Sequence, residues 1–305
     1  MEFLRFLQEL RTPVLDALLQ GFTYLGEETA FILIALIFFW CIDKWEGFYL
    51  LCVGLTGTVL NQLLKLTFRI PRPWVRDPSF AIVESAREAA AGYSFPSGHT
   101  QMSVGTFSSI ALWHRRTWIR VLCALVCVLT PFSRMYLGVH TPADVAVSFV
   151  LAVSMALLMR PLVRKGASDA RTMRLLLCGM TAFALGYLAY IHLCPFPADI
   201  DMHNLESGTK QAYTMLGCIL GLFAAYETDH RFTHFKTDAP LSVQVVKVVL
   251  GLIPLLGIKA LLKAPLRAVI GSVYAADGVR YFLMVVFAGC VWPMAFPKIE
   301  RLMKR

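Results

Sequence analysis

Apolar runs about as long as a bilayer's hydrocarbon layer is thick recur along this whole sequence, and they leave few folds open. They fall near 25–42, 46–68, 98–113, 118–136, 142–159, 174–193, 211–227, 241–262 and 279–297, with short polar loops between them. A helix crosses the ~30 Å hydrocarbon with roughly 20 apolar residues and satisfies its own backbone, so each run reads as a membrane span. Composition agrees. Of 305 residues, 57% are hydrophobic and 16% charged, at a mean hydropathy of +0.61, which is too apolar for a surface that faces water. The expected fold is all-α, a polytopic membrane helical bundle of about nine transmembrane helices, the first and third short enough to be tilted or re-entrant. Residues 1–24 read as an amphipathic amino-terminal segment, 25–195 as the membrane core that holds the polar clusters, and 196–305 as additional carboxyl-terminal spans.

The remaining composition narrows the function. Most of the eight cysteines sit inside apolar runs, with no CxxC or Cys/His cluster, so they read as buried thiols and not as disulfides or metal ligands. The net charge of +9 comes from basic residues scattered among loops, without the basic patch interleaved with aromatics that nucleic acid requires. The first twenty residues carry acids and lack a small-residue cleavage site, so no cleaved signal peptide is expected; their heptad-like apolar spacing suits an interfacial helix. If the spans alternate, one side collects Lys44, Arg115, Arg116, Arg164, Lys165, Lys304 and Arg305 among others, and outweighs the side carrying Arg69, Arg72 and Lys263. The positive-inside rule makes the first side cytoplasmic and puts the loops at 69–97, 137–141, 194–210 and 263–278 on the extracytoplasmic face.

Ionisable residues at membrane depth are expensive and mark function by default. Three clusters qualify. Lys65, Arg69 and Arg72 are spaced to share one helical face until Pro71 and Pro73 end the helix; snorkelling boundary cations are the alternative. Around Pro96-Ser97-Gly98-His99, Ser97 can cap a helix start, Gly98 lets a ligand approach the main chain, and His99 can exchange a proton; a capped start with an incidental histidine is the alternative. In Ser133-Arg134 through His140-Thr141-Pro142-Ala-Asp144, Thr141 and Asp144 form a variant capping box. That box brings the Asp144 carboxylate back toward His140, where it can fix the tautomer and leave the other nitrogen free for attack.

These residues resemble the type 2 phosphatidic acid phosphatase (PAP2) superfamily, whose signature is K-x6-R-P, P-S-G-H and S-R-x5-H-x3-D. Here it reads Lys65 through Arg72-Pro73, then Pro96-Ser97-Gly98-His99, then Ser133-Arg134 through His140 to Asp144, with every position filled. The resemblance covers 65–144 directly and carries no motif beyond about 195. It implies a metal-independent phosphatase with no cofactor that works through a phosphohistidine. His140 would be the nucleophile, Asp144 its orienting partner and His99 the acid and then the base. Lys65, Arg72, Ser97, Gly98 and Arg134 would hold the phosphate, with Arg69 an auxiliary contact.

The implied partners are the bilayer and a lipid phosphate or diphosphate, such as undecaprenyl diphosphate, phosphatidate, phosphatidylglycerol phosphate or a sphingoid-base phosphate. A lipid phosphotransferase, a glucose-6-phosphatase-like sugar phosphatase and a non-enzymatic carrier or scramblase are the competing readings, and no oligomeric state follows. The loop from Cys194 to Glu206 falls on the catalytic side, either to line the pocket or as an ordinary solvated loop. Vanadate haloperoxidases share the signature because vanadate mimics the transition state of phosphoryl transfer. Vanadate is therefore expected to inhibit this protein; activity that persists in millimolar vanadate counts against the site.

Overall fold

The structure, a computed structural model, describes residues 1–303, so Lys304 and Arg305, counted above with the cytoplasmic cations, lie outside the described residues. Among these residues the chain is helical without a strand. In chain order the helices are α1 (Glu2–Glu9), α2 (Pro13–Tyr24), α3 (Glu28–Ile37), α4 (Lys44–Phe68), α5 (Pro73–Arg76), α6 (Gly98–Trp113), α7 (Thr117–Tyr136) and α8 (Pro142–Gly166). They continue as α9 (Ala170–Leu193), α10 (Met202–Thr228), α11 (Leu241–Leu261), α12 (Lys263–Ile270), α13 (Val273–Val286) and α14 (Trp292–Met303).

The expected count of nine spans is too high by length and apolarity. Among the described residues six segments qualify: Lys44–Arg76, Thr117–Tyr136, Pro142–Gly166, Ala170–Leu193, Leu241–Leu261 and Val273–Met303. A seventh is the broken pair Pro13–Tyr24 and Glu28–Ile42, bent by 50°. The expected spans at 98–113 and 211–227 do form helices, but of a different kind. α6 has 16 residues, about 24 Å of helix, and it buries Gln101, Ser103, Thr106 and Ser109 against protein, where lipid-grade apolarity is not required. α10 is 27 residues long, but Thr209, Lys210, Gln211 and Thr214 interrupt its apolar stretch.

The chain divides into two compact units. The first comprises Met1–Leu33, Cys52–Pro161 and Phe196–Gly208, and it contains all three polar clusters. Within it α6 packs along α7, and α1 and α2 dock on α7 as well. In the amino-terminal segment Leu4, Leu7 and Leu19 are buried while Phe6, Val14 and Leu18 stay exposed. Its polar groups grip the end of α7. Arg11 donates to the Tyr136 carbonyl at 3.0 Å and the Tyr136 hydroxyl donates to Asp16 at 2.9 Å. Leu19, Ala86, Ala90, Tyr136, Leu137 and Val139 form the apolar floor beneath the loop that leads to His140. Gly138 turns that loop with φ +83°, a left-handed conformation, and a Cβ there would meet Arg11 at 2.6 Å.

The second unit comprises Ile34–Leu51, Leu162–Pro195 and the chain from Thr209 onward. Among the described residues its buried cations are paired. Lys247, fully buried, meets Glu300 at 2.9 Å, and Asp277 holds Arg280 at 2.8 Å and Arg267 at 3.2 Å. α10 and α13 cross at glycine: a Cβ on Gly217 would stand 2.1 Å from the Gly278 carbonyl oxygen, so small residues set this crossing. Gly217→Leu is expected to lower the thermal unfolding midpoint of the detergent-solubilised protein, by overpacking worth about 1–3 kcal/mol. An unchanged midpoint would refute this account of the crossing.

Candidate active site

Four helix ends of the first unit supply the site: the carboxyl ends of α4 and α7 and the amino ends of α6 and α8. On the last turn of α4, Lys65 is buried, and its ammonium donates to the Tyr93 carbonyl. The expectation that Lys65, Arg69 and Arg72 share one helical face fails. α4 ends at Phe68, Arg69 adopts a φ of +50° and turns its side chain back to the Leu66 carbonyl at 3.2 Å, and Arg72 sits in extended backbone ahead of α5. Arg72 still reaches the site through that loop. Its guanidinium donates to the carbonyls of Gly92 (3.0 Å), Ala91 (2.9 Å) and Val139 (2.9 Å), and approaches His140 Nε2 at 2.8 Å.

The contact between Arg72 and His140 sets the tautomer. A guanidinium can only donate, so Nε2 carries the lone pair and the imidazole proton lies on Nδ1. Nδ1 faces Asp144 Oδ2 at 3.6 Å, close enough for electrostatic pairing and longer than a hydrogen bond. Burial first, then Arg72, Arg134, Lys65 and His99, hold the His140 imidazole well below its ordinary value, so it is neutral near pH 7.

Asp144 is fixed by its neighbours. Its Oδ2 accepts from the Thr141 amide at 2.8 Å, and its own amide donates to Thr141 Oγ1 at 3.3 Å, which closes the capping box read from the sequence. The same Oδ2 accepts from Ser94 Oγ at 2.6 Å, a contact that no local pattern announces. Ser97 caps α6, its Oγ accepting from the Thr100 amide at 3.4 Å, and its own amide donates to the Asp144 carbonyl at 3.2 Å, which ties the α6 start to α8. Gly98 begins α6. Asn61, one turn before Lys65, donates to the Pro96 carbonyl at 3.5 Å; a polar side chain four residues ahead of a buried lysine was the available signal for it.

Arg134 differs from every contact described so far. It is 0% exposed, and none of its three guanidinium nitrogens has a hydrogen-bond partner among the described residues. His99 Nε2 is likewise buried and without one. A buried guanidinium loses several kcal/mol of hydration, which the protein groups around Arg134 do not return. The site thus separates its cations: Arg72 is largely spent on carbonyls and His140, while Arg134 keeps all its donors for something else. Beside Arg72 lies a cavity of about 660 Å³, whose lining does not include Arg134, His99 or His140. Arg69, Arg72 and Tyr93 form part of its wall, with Asp199, Asp201 and Asn204 from the loop expected on this side.

The chain is similar to known proteins. The PAP2 superfamily profile matches residues 45–167, and that of the "PAP2 superfamily phosphatase, transmembrane extension" matches 213–305. Phosphatidylglycerophosphatase B of Bacillus subtilis is 28% identical over 164 residues, covering 50% of this chain and 76% of the relative. The undecaprenyl-diphosphatase BcrC of the same organism is 36% identical over 100 residues, 33% of this chain and 49% of its own. A probable sphingosine-1-phosphate phosphatase of Dictyostelium discoideum is 28% identical over 233 residues, 70% of this chain and 53% of its own. The chain spans about half the length of these last two. With both profiles on one helical chain and every signature position filled, this protein belongs to the PAP2 superfamily and is an integral membrane phosphatase.

Proposed function

We propose that the protein hydrolyses a lipid phosphate or diphosphate through a phosphohistidine on His140. The observation that carries this reading is the buried Arg134, three donors without a protein acceptor, beside a neutral histidine whose Nε2 holds the lone pair. A tetrahedral phosphate supplies the missing acceptors and the missing negative charge together. On its arrival a phosphate oxygen replaces Nε2 as acceptor from Arg72, which frees the lone pair for attack on phosphorus. As the new N–P bond forms and the P–O bond breaks, positive charge develops on the ring, and Asp144 stabilises it at Nδ1. His99 gives its proton to the leaving oxygen, then takes one from the water that cleaves the phosphohistidine. Lys65, Arg72 and Arg134, with the Ser97 hydroxyl and the Gly98 amide, hold the phosphoryl oxygens through both steps.

The apolar exterior suits a substrate whose tail stays in the bilayer while its headgroup enters the polar end. The named relatives act on phosphatidylglycerol phosphate, undecaprenyl diphosphate or sphingosine-1-phosphate, which span the headgroups that we assign as candidates. Arg115, Arg116, Arg164 and Lys165 sit at the ends of α6, α7 and α8 opposite the site, and this excess supports a site on the extracytoplasmic face with the carboxyl-terminal side in the cytoplasm.

Detergent-purified protein is expected to release inorganic phosphate from lipid phosphates or diphosphates far faster than from sugar phosphates. His140→Ala should lower turnover on the order of a thousandfold while the protein stays folded, since no other group takes over the nucleophile. Turnover that survives this change, or that needs an acceptor other than water, defeats the hydrolytic reading. Arg134→Met is expected to abolish activity and raise the thermal midpoint of the ligand-free protein, because it removes a buried charge with no protein partner. A lower midpoint would mean that Arg134 stabilises the fold and is not held in reserve for an anion.

A further inference from the structure

The PAP2 profile begins at residue 45, and the break between α2 and α3 lies ahead of it. α2 stops at Tyr24 and α3 starts at Glu28, and between them the amides of Leu25, Gly26 and Glu27 return to the carbonyls of Phe22, Thr23 and Tyr24. This short turn packs against His99 and is hydrogen-bonded to Ser133, the residue before Arg134.

On one side, Gly26 is buried against the first turn of α6. A Cβ on it would stand 2.7 Å from the His99 carbonyl oxygen and 3.0 Å from the His99 Cβ. Its backbone φ lies outside the left-handed region, so the position needs glycine for space and not for conformational freedom. The obstruction is main chain and cannot swing aside as a flexible side chain would. On the other side, Thr23 Oγ1 and Ser133 Oγ lie 2.8 Å apart, both fully buried. Ser133 already donates its hydroxyl proton to the Thr130 carbonyl at 2.7 Å, so Thr23 is the donor between them. Thr130 in turn donates to the Phe22 carbonyl at 3.1 Å. Two residues of this turn, Phe22 and Thr23, are therefore tied to the last turns of α7, just before Arg134.

We propose that the break from Phe22 to Glu27 is a positioning element of the active site: Gly26 sets the height of the His99 backbone, and Thr23 fixes the turn that presents Arg134. This rests on the roles given to His99 and Arg134 under the hydrolytic reading. Proton transfer by His99 works only within hydrogen-bond reach of the leaving oxygen, and a shift of a few tenths of an ångström in its backbone moves the ring by more. Packing alone would make Gly26 and Thr23 matter for stability and leave each folded molecule fully active.

The test compares Gly26→Ala, Thr23→Val and Thr23→Ser with the unmodified protein, per folded molecule, by kcat, KM, vanadate inhibition and thermal midpoint. Gly26→Ala is expected to lower kcat about tenfold, the scale of a misplaced catalytic group, with KM and vanadate inhibition nearly unchanged because the three cations are untouched. Thr23→Val is expected to weaken vanadate inhibition and raise KM about fivefold, the net worth of one hydrogen bond. Thr23→Ser, which keeps the hydroxyl, should restore both. The proposal is overturned if either variant keeps normal kinetics per folded molecule, or if only the thermal midpoint moves. His140→Ala separates the two failures. If it retains turnover, the hydrolytic reading falls; if it is inactive while Gly26→Ala and Thr23→Val behave normally, only the positioning role falls.

Discussion

Three cations and one carboxylate are buried together in the first unit, and the surrounding structure answers that imbalance. Lys65, Arg72 and Arg134 are 7%, 5% and 0% exposed, and Asp144, at 2%, is the carboxylate beside them. Burial of one ion costs several kcal/mol before any pairing, so a net excess of two positive charges is a standing penalty that hydrogen bonds offset only in part. The second unit handles the same problem differently, with a carboxylate for Lys247 and one for Arg280. The first unit leaves its excess in place, as a site must if it is to bind a doubly charged anion without first breaking an ion pair.

The irregular chain between α5 and α6 belongs to this solution. A helix uses its own carbonyls, so only non-helical backbone can offer them to side chains. Ala91, Gly92 and Tyr93 do so, two for Arg72 and one for Lys65, and Ser94 then adds its hydroxyl to Asp144. Ala90, Gly92 and Tyr93 of this backbone line the cavity beside Arg72. The loop thus neutralises part of the cationic field with dipoles while it leaves the charges available to an anion.

How much of this was legible in the sequence depends on distance along the chain. The capping box of Thr141 and Asp144 and the cap at Ser97 are contacts three residues long, and they form as read. Helical periodicity misplaced Arg69 and Arg72 because it cannot register one left-handed residue, and φ +50° at Arg69 ends the helix before either cation is reached. Hydropathy located every helix that it was asked about and overstated the number of spans. A helix such as α6, sheltered by α7 and rich in buried hydroxyls, follows protein packing and not lipid solubility. Ser94 and the carbonyls of 91–93 left no trace, since their partners lie 19 or more residues away and a carbonyl is common to every residue.

The amino-terminal helices follow the same logic. As a sequence they were an apolar face with no stated partner, and an interfacial helix accounted for them. In the folded protein that face divides: one side is exposed and the other packs on α7, where Arg11, Thr12 and Asp16 hold Tyr136. Tyr136 stands two residues beyond Arg134, and Thr23 reaches Ser133, one residue before it. An arginine whose own side chain has no anchor in the protein can be aimed only through its backbone, and these contacts hold that backbone from both sides. The precision that Arg72 gains from the carbonyls it contacts, Arg134 gains from the helix beneath it.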